Sequence, residues 1–134
     1  LNKIKKDFQG YEMWLEPGRY IVGESGVILS HVTQTKKKQK HFYIGLGIGM
    51  NVLIRPPLYD AYHEIINLTK YKERNKIIAS IVGPICESGD KLGKDRNLPY
   101  TNEGDVMLIA NAGAYVRSMS SNYNLRDIPK ELLL

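Results

Sequence analysis

Apolar residues fall along this chain in short blocks separated by glycine, proline or charge, and the spacing within each block sets what it can form. In LNKIKKDF, Leu1, Ile4 and Phe8 stand at helical spacing with Gly10 just beyond, which predicts the tail of a helix closed by glycine. YEMWL (11–15) reads as a short buried strand, stopped by EPGR (16–19) because Pro17 and Gly18 cannot extend a ladder. RYIVG, GVILSHVTQT and HFYIGLGI follow, each apolar, β-branched or aromatic and bounded by glycine or charge, which predicts strands. Further strands are predicted at EIINLTKY, KIIASIVG and DVMLIANA, and GAYVRSMSSNYN (113–124) predicts a helical turn and a loop. KELLL closes on apolar residues in the manner of a strand separated from its partner.

Two long stretches carry no strand pattern: MNVLIRPPLYDAYH (50–63) and PICESGDKLGKDRNLPYTNEG (84–104). Connections of that length in a compact domain are usually functional. Six or more strands with such excursions predict a mainly β fold, an antiparallel Greek-key barrel or sandwich. The helix tail, YEMWL and EPGR stand outside that pattern and read as the last helix and strand of a preceding α/β unit. The chain is thus expected to be the rear part of a larger protein.

At 134 residues, with 43% apolar and 25% charged residues, the composition is that of a globular domain with its own core. No apolar run approaches the roughly 20 residues of a membrane span, and the first residues lack an apolar signal core. A single cysteine, Cys86, rules out an internal disulfide and fits a reducing cytoplasm. The formal charge of +5 has its densest source in TKKKQKH (35–41), which reads as a solvated loop tip. Aromatic–basic interleaving is missing, so nucleic acid is not the expected partner. An anionic small molecule or a phosphate remains an open partner.

Several positions can carry chemistry, each with a plainer reading beside it. Cys86 and Glu87 follow Gly83-Pro84 on a loop leaving a strand, where a thiol can donate a proton and a carboxylate can hold an ammonium. The plainer reading is a small buried hydrophobe beside a surface acid. EPGR offers backbone N–H groups and the Arg19 guanidinium to a phosphate or carboxylate, or is an ordinary turn. Arg55 and Tyr59, four apart in a proline-stiffened loop, can face one pocket; Tyr62 and His63 read equally well as packing residues. Gly113 permits a close turn from which the Tyr115 hydroxyl can reach an anion, or Tyr115 is a core residue. His31, His41 and His63 lack metal-ligand spacing with Cys86, so no metal site is expected. GLGIG (45–49) is not GxGxxG and no helix signal follows, which excludes a dinucleotide fingerprint.

Taken in order, EPGR, GMNVLIRPPLYDAYH, VGPICESGD and NAGAY with SSNYN resemble the diaminopimelate decarboxylases, over nearly the whole chain from YEMWLEPGR to KELLL. The resemblance implies a pyridoxal-phosphate enzyme of the alanine-racemase-like class, in which a TIM-type barrel is joined to a C-terminal β-domain. It places residues 1–19 at the end of the barrel and 20–134 in a β-domain truncated at its end. It implies decarboxylation of meso-2,6-diaminopimelate to L-lysine and carbon dioxide, in the cytoplasm. Glu16, Pro17, Gly18 and Arg19 then lie against the cofactor phosphate, with Tyr115 touching cofactor and substrate. Arg19, Arg55 and Tyr59 grip the distal carboxylate of the substrate, and Glu87 its ammonium. Cys86 is implied as the proton donor, acting with Glu87 from the opposite subunit of a head-to-tail homodimer.

The lysine that binds the cofactor has no match in this chain, so these residues alone are expected to be inactive. Where such enzymes usually carry DAGMN, this chain has GIGMN, with Gly47 at the acid position. VTQTK, LIANAGAY and SSNYNLR also resemble the decarboxylase half of fused aspartate kinase–decarboxylases. Two other readings stay open: a related decarboxylase of ornithine, arginine or carboxynorspermidine, and a non-catalytic dimerisation domain.

Overall fold

The structure is a computed structural model and describes residues 2–134. Helix α1 (Asn2–Asp7) precedes an exposed irregular stretch over 11–17, after which α2 (Arg19–Val22) runs into a 3₁₀ turn at Gly23–Ser25. Strands β1 (Ile28–Lys38) and β2 (His41–Leu46) form a hairpin about Gln39–Lys40, with Gln39 at φ +56°. Then come α3 (Arg55–Tyr59), β3 (Ile65–Asn67), β4 (Lys76–Val82), β5 (Lys91–Pro99) and β6 (Val106–Ile109). A short α4 (Val116–Met119) and a 3₁₀ turn at Tyr123–Leu125 follow.

The strands form one sheet in the order β3-β6-β1-β2-β4-β5. β1 is shared: residues 28–31 pair with β6 and 32–38 with β2, and a bulge between Val32 and Gln34 bends the strand where the partner changes. Every pairing is antiparallel except β2 with β4, which is parallel. A parallel neighbour needs a long crossover, and residues 47–75 provide it, carrying α3 and β3 on the way.

The two-residue period of the strands puts Ile44 and Leu46, Ala79 and Ile81, and Met107 and Ile109 on one buried face. Leu53 and Leu92 complete the same core. Truncating Ile81 to Ala should cost about 2–5 kcal/mol, as for other large-to-small core changes. The end strands β3 and β5 approach each other at Gly93, where a Cβ would stand 2.9 Å from Ile65 Cδ1. Glycine there lets the sheet curl into a nearly closed barrel.

A buried polar group ties the barrel rim together. Asn67 Nδ2 donates to Asp105 Oδ2 at 2.9 Å and to Thr101 Oγ1 at 3.1 Å, while Asn102 N–H reaches the same carboxylate oxygen at 2.9 Å. Burial alone would raise the Asp105 pKa, but these bonds and the Lys70 ammonium, 3.6 Å away, hold it below its ordinary value.

The mainly β barrel expected from the sequence is present, with its helical turn after Gly113, but several elements differ. RYIVG is a helical turn: Gly18 at φ +40° redirects the chain, and Tyr20 and Ile21 N–H groups bond back to Pro17 and Gly18 carbonyls at 2.9 and 3.1 Å. YEMWL is exposed, with no ladder partner among the described residues, and KELLL is likewise irregular and exposed. The stretch 84–104 contains β5. Its charged sequence hid it, because only Leu92, Gly93 and Leu98 are buried and a bulge with Asp95 at φ +49° breaks the alternation. The parallel β2–β4 pair makes the sheet mixed rather than antiparallel throughout. TKKKQKH is exposed as expected except for the half-buried Thr35, with all but its tip inside the hairpin strands. No helix among the described residues is long and apolar enough to cross a membrane.

Candidate active site

The EPGR turn is fastened to the turn after β6. Gly113 N–H donates to Gly23 O at 3.0 Å and Ala112 N–H to Gly26 O at 2.8 Å, and a Cβ on Gly113 would collide with the Val22 carbonyl. The Arg19 guanidinium donates to Asn111 O at 3.4 Å. Tyr115, itself at φ +62°, lays its hydroxyl against Gly18 where any side chain would intrude. The Gly18 and Arg19 amides begin α2 and find no hydrogen-bond partner among the described residues. Gly18, Arg19 and Tyr115 are thus brought together, whereas Glu16 makes no side-chain hydrogen bond or ion pair with them among the described residues.

Arg55 and Tyr59 share a face of α3, with the guanidinium 5.5 Å from the ring centroid. Pro56 and Pro57 suit the start of this helix, since first-turn N–H groups have no intrahelical partner, and Asp60 closes it at φ +53°. His63 follows, fully buried, with Nδ1 2.9 Å from the Ala110 carbonyl. A carbonyl only accepts, so Nδ1 carries the hydrogen and Nε2 is a bare lone pair with no partner. Burial lowers the His63 pKa most; the Ala110 bond opposes this, and the charges of Arg19, Arg55 and Arg96 lower it further. Arg96 of β5 stacks 3.9 Å from the Tyr62 ring centroid, and the Nε groups of Arg55 and Arg96 are buried without acceptors. No carboxylate forms an ion pair with these three arginines among the described residues. Three guanidinium groups around a neutral imidazole make a region that attracts an anion.

Cys86 and Glu87 lie in the loop between β4 and β5, both exposed. The loop is closed by Gly83 N–H donating to Asp90 O at 3.0 Å and Asp90 N–H to Glu87 O at 3.1 Å. The Tyr123 hydroxyl donates to Glu87 Oε1. That bond, with smaller contributions from burial and the charges of Glu87 and Cys86, raises the Tyr123 pKa.

The expected residues therefore fall into two groups. Gly18, Arg19 and Tyr115 stand together, near enough to Arg55 and Tyr59 for Arg19 and Arg55 both to act on His63. Cys86 and Glu87 form the second group, and no hydrogen bond or ion pair among the described residues links it to the first. Sequence reasoning missed Tyr123, the burial of Asp90 and the charge of Arg96, and gave His63 no role. SSNYN contained the Tyr123 signal, but no local pattern ties it to a loop 36 residues earlier.

The sequence matches the family described as "Pyridoxal-dependent decarboxylase, C-terminal sheet domain" over residues 19–113. Diaminopimelate decarboxylase of Aquifex aeolicus is 46% identical over 90% of this chain and 28% of its own length. That of Neisseria meningitidis serogroup B is 48% identical over the same shares. The crystal structure of diaminopimelate decarboxylase from M. jannaschii in co-complex with L-lysine matches at a TM-score of 0.82 and 39% identity, covering 96% of this chain and 29% of that one. The chain thus spans under a third of the length of these relatives. With the match covering all six strands, the chain belongs to the family of pyridoxal-dependent decarboxylase C-terminal sheet domains.

Proposed function

We propose that this chain is the sheet domain of a cytoplasmic pyridoxal-phosphate decarboxylase that converts meso-2,6-diaminopimelate to L-lysine and carbon dioxide. Residues 1–19 belong in this reading to the end of the cofactor-bearing barrel and 20–134 to the sheet domain. The observation that carries it is the separation of charge: guanidinium groups without carboxylate partners on one side, and an exposed thiol beside a carboxylate on the other. The relatives named diaminopimelate decarboxylase support the choice of substrate.

The distal end of diaminopimelate carries both an ammonium and a carboxylate. Arg19 and Arg55, with the Tyr59 hydroxyl, suit the carboxylate, and Glu87 suits the ammonium. Ornithine or arginine has no distal carboxylate, so it would leave these guanidinium donors, the buried Arg55 Nε among them, unmet. Unmet polar groups of that kind discriminate by about 10⁴-fold.

The residues present fit the cofactor's phosphate. The free Gly18 and Arg19 amides, the Arg19 guanidinium and the Tyr115 hydroxyl are all donors, gathered where glycine leaves room for close approach. Glu16 and Pro17 hold the turn that presents them. When bound, pyridoxal phosphate supplies an electron sink for the carbon that loses carbon dioxide. Cys86 then gives its Sγ proton to that carbon, while Glu87 fixes the far end of the substrate. Cys86 and Glu87 act across a head-to-tail homodimer, which accounts for their exposure and their lack of contact with Arg19 and Tyr115 within one chain.

Carbon dioxide release by the full-length parent from meso-diaminopimelate, ornithine, arginine and carboxynorspermidine tests this, with and without Cys86→Ala. Release from diaminopimelate alone, lost in the variant, is expected. Preference for ornithine, or no release from any of the four, overturns it. In a dimer Cys86 should lie near the partner's cofactor; a thiol pointing into its own core would sink the assignment in trans.

A further inference from the structure

We propose that Asp90 is a positioning residue for Cys86 and Glu87: its buried carboxylate ties the loop between β4 and β5 to the turn after β2 and sets where thiol and acid stand. This rests on the reading of that pair as site residues. Oδ1 accepts the Met50 N–H at 2.6 Å, and Oδ2 accepts the Ile85 N–H at 2.7 Å, one residue before Cys86. Asp90 is 3% exposed although its neighbours Ser88 and Gly89 are open to solvent. Its backbone closes the loop as well, bonding Gly83 and Glu87. One side chain therefore grips the loop on both sides of the Cys86-Glu87 dipeptide and anchors it to another part of the barrel.

Two glycines make room for this carboxylate. A Cβ on Gly49 would come within 2.7 Å of Oδ1, and one on Gly83 would overlap Oδ2 and the Gly49 backbone. The packing explains glycine at 49, in the turn after β2, and at 83, directly after β4. The two amide bonds fall on different oxygens, so the ionised form meets both donors. An amide in place of the carboxylate would turn its NH2 group toward one of two N–H groups. At the buried Ile85 N–H, water is a poor substitute for the lost acceptor.

The test compares wild-type, Asp90→Asn, Gly83→Ala and the core control Ile109→Val in the full-length parent. Both loop variants should lower kcat for carbon dioxide release at least tenfold. They should also speed hydrogen exchange at the Met50, Ile85 and Glu87 amides at least tenfold while the Ile44 and Ile81 amides keep their protection. Alkylation of Cys86 by iodoacetamide should change at least threefold in either direction. Ile109→Val should do none of these at a similar loss of melting temperature. Loop exchange that stays at the wild-type rate, or rises only in step with Ile44 and Ile81, overturns the proposal. So does a freed loop with unchanged Cys86 reactivity. Should wild-type fail to act on diaminopimelate, the proposed function falls, yet exchange and alkylation still decide the role of Asp90.

Discussion

The Tyr123 hydroxyl donates a hydrogen bond to the Glu87 carboxylate, joining the turn after α4 to the loop that carries Cys86. A carboxylate meant for a substrate ammonium must stay charged and stay put. A phenol on one oxygen holds the carboxylate in place and leaves the other oxygen without a hydrogen-bond partner among the described residues. Tyr123→Phe in the full-length parent should therefore raise KM for diaminopimelate roughly tenfold, the effect of losing one hydrogen bond to a charged group, with less change in kcat. Steady-state kinetics decide it; an unchanged KM means that Tyr123 does not hold Glu87 in the working site.

How much of this was legible beforehand differs from residue to residue. Ile44, Ile81 and Ile109 announce themselves because alternation and β-branching are local, and the strands around them are where the sequence puts them. β5 was hidden because Lys94, Asp95 and Asn97 face water and the bulge at Asp95 spoils the period. RYIVG has the composition of a strand, and only the turn bonds at Pro17 and Gly18 make it helical. The proximity of Gly18 to Tyr115 spans nearly a hundred residues and follows from the packing of two turns, which no window of sequence contains. The parallel β2–β4 pair is equally non-local, since it depends on where the crossover returns. Residue types in the site were readable as chemistry; their partners were not.

His63 makes stability depend on pH. Its folded pKa lies below the ordinary 6.5, because burial and nearby guanidinium charges disfavour the imidazolium. The unfolded chain then binds a proton near pH 6.5 that the folded chain refuses. Stability attributable to His63 is complete above that pH and declines as pH falls toward the folded pKa, by at most about 1.4 kcal/mol per pH unit. His63→Asn can still donate from its amide to Ala110 but does not titrate. Urea unfolding of the parent at pH 7.5 and 5.5 should show a larger acid loss for wild-type than for the variant; equal losses would remove His63 as the cause.

Gly47 is tolerant where the resemblance led one to expect an acid. A Cβ there would meet Ser30 Oγ at 3.6 Å and Thr33 Cγ2 at 3.7 Å, both ordinary contacts. Arg126 already donates to the Gly47 carbonyl at 3.2 Å, so an aspartate would find a guanidinium close by. Gly47→Asp should raise stability by about 0.5–1 kcal/mol, through this exposed ion pair and the lower entropy of the unfolded chain. Thermal melting checks it, and the gain should shrink in high salt. A lower melting temperature would show that the backbone at this position requires glycine.

Gly18 is the opposite case. It sits at φ +40°, and the Tyr115 hydroxyl occupies the space a side chain would take. Alanine there must strain the backbone, by about 1 kcal/mol for a residue forced toward the left-handed region, and must also push the tyrosine aside. Both effects fall on the donors proposed to hold the phosphate. Gly18→Ala in the full-length parent should therefore weaken pyridoxal phosphate binding at least tenfold, read from the absorbance of bound cofactor. Tyr115→Phe should weaken it less, because it removes one donor and leaves the Gly18 and Arg19 amides in place. If Gly18→Ala retains the cofactor as wild-type does, the close approach of Tyr115 to Gly18 is packing alone and the EPGR turn is not where the phosphate rests.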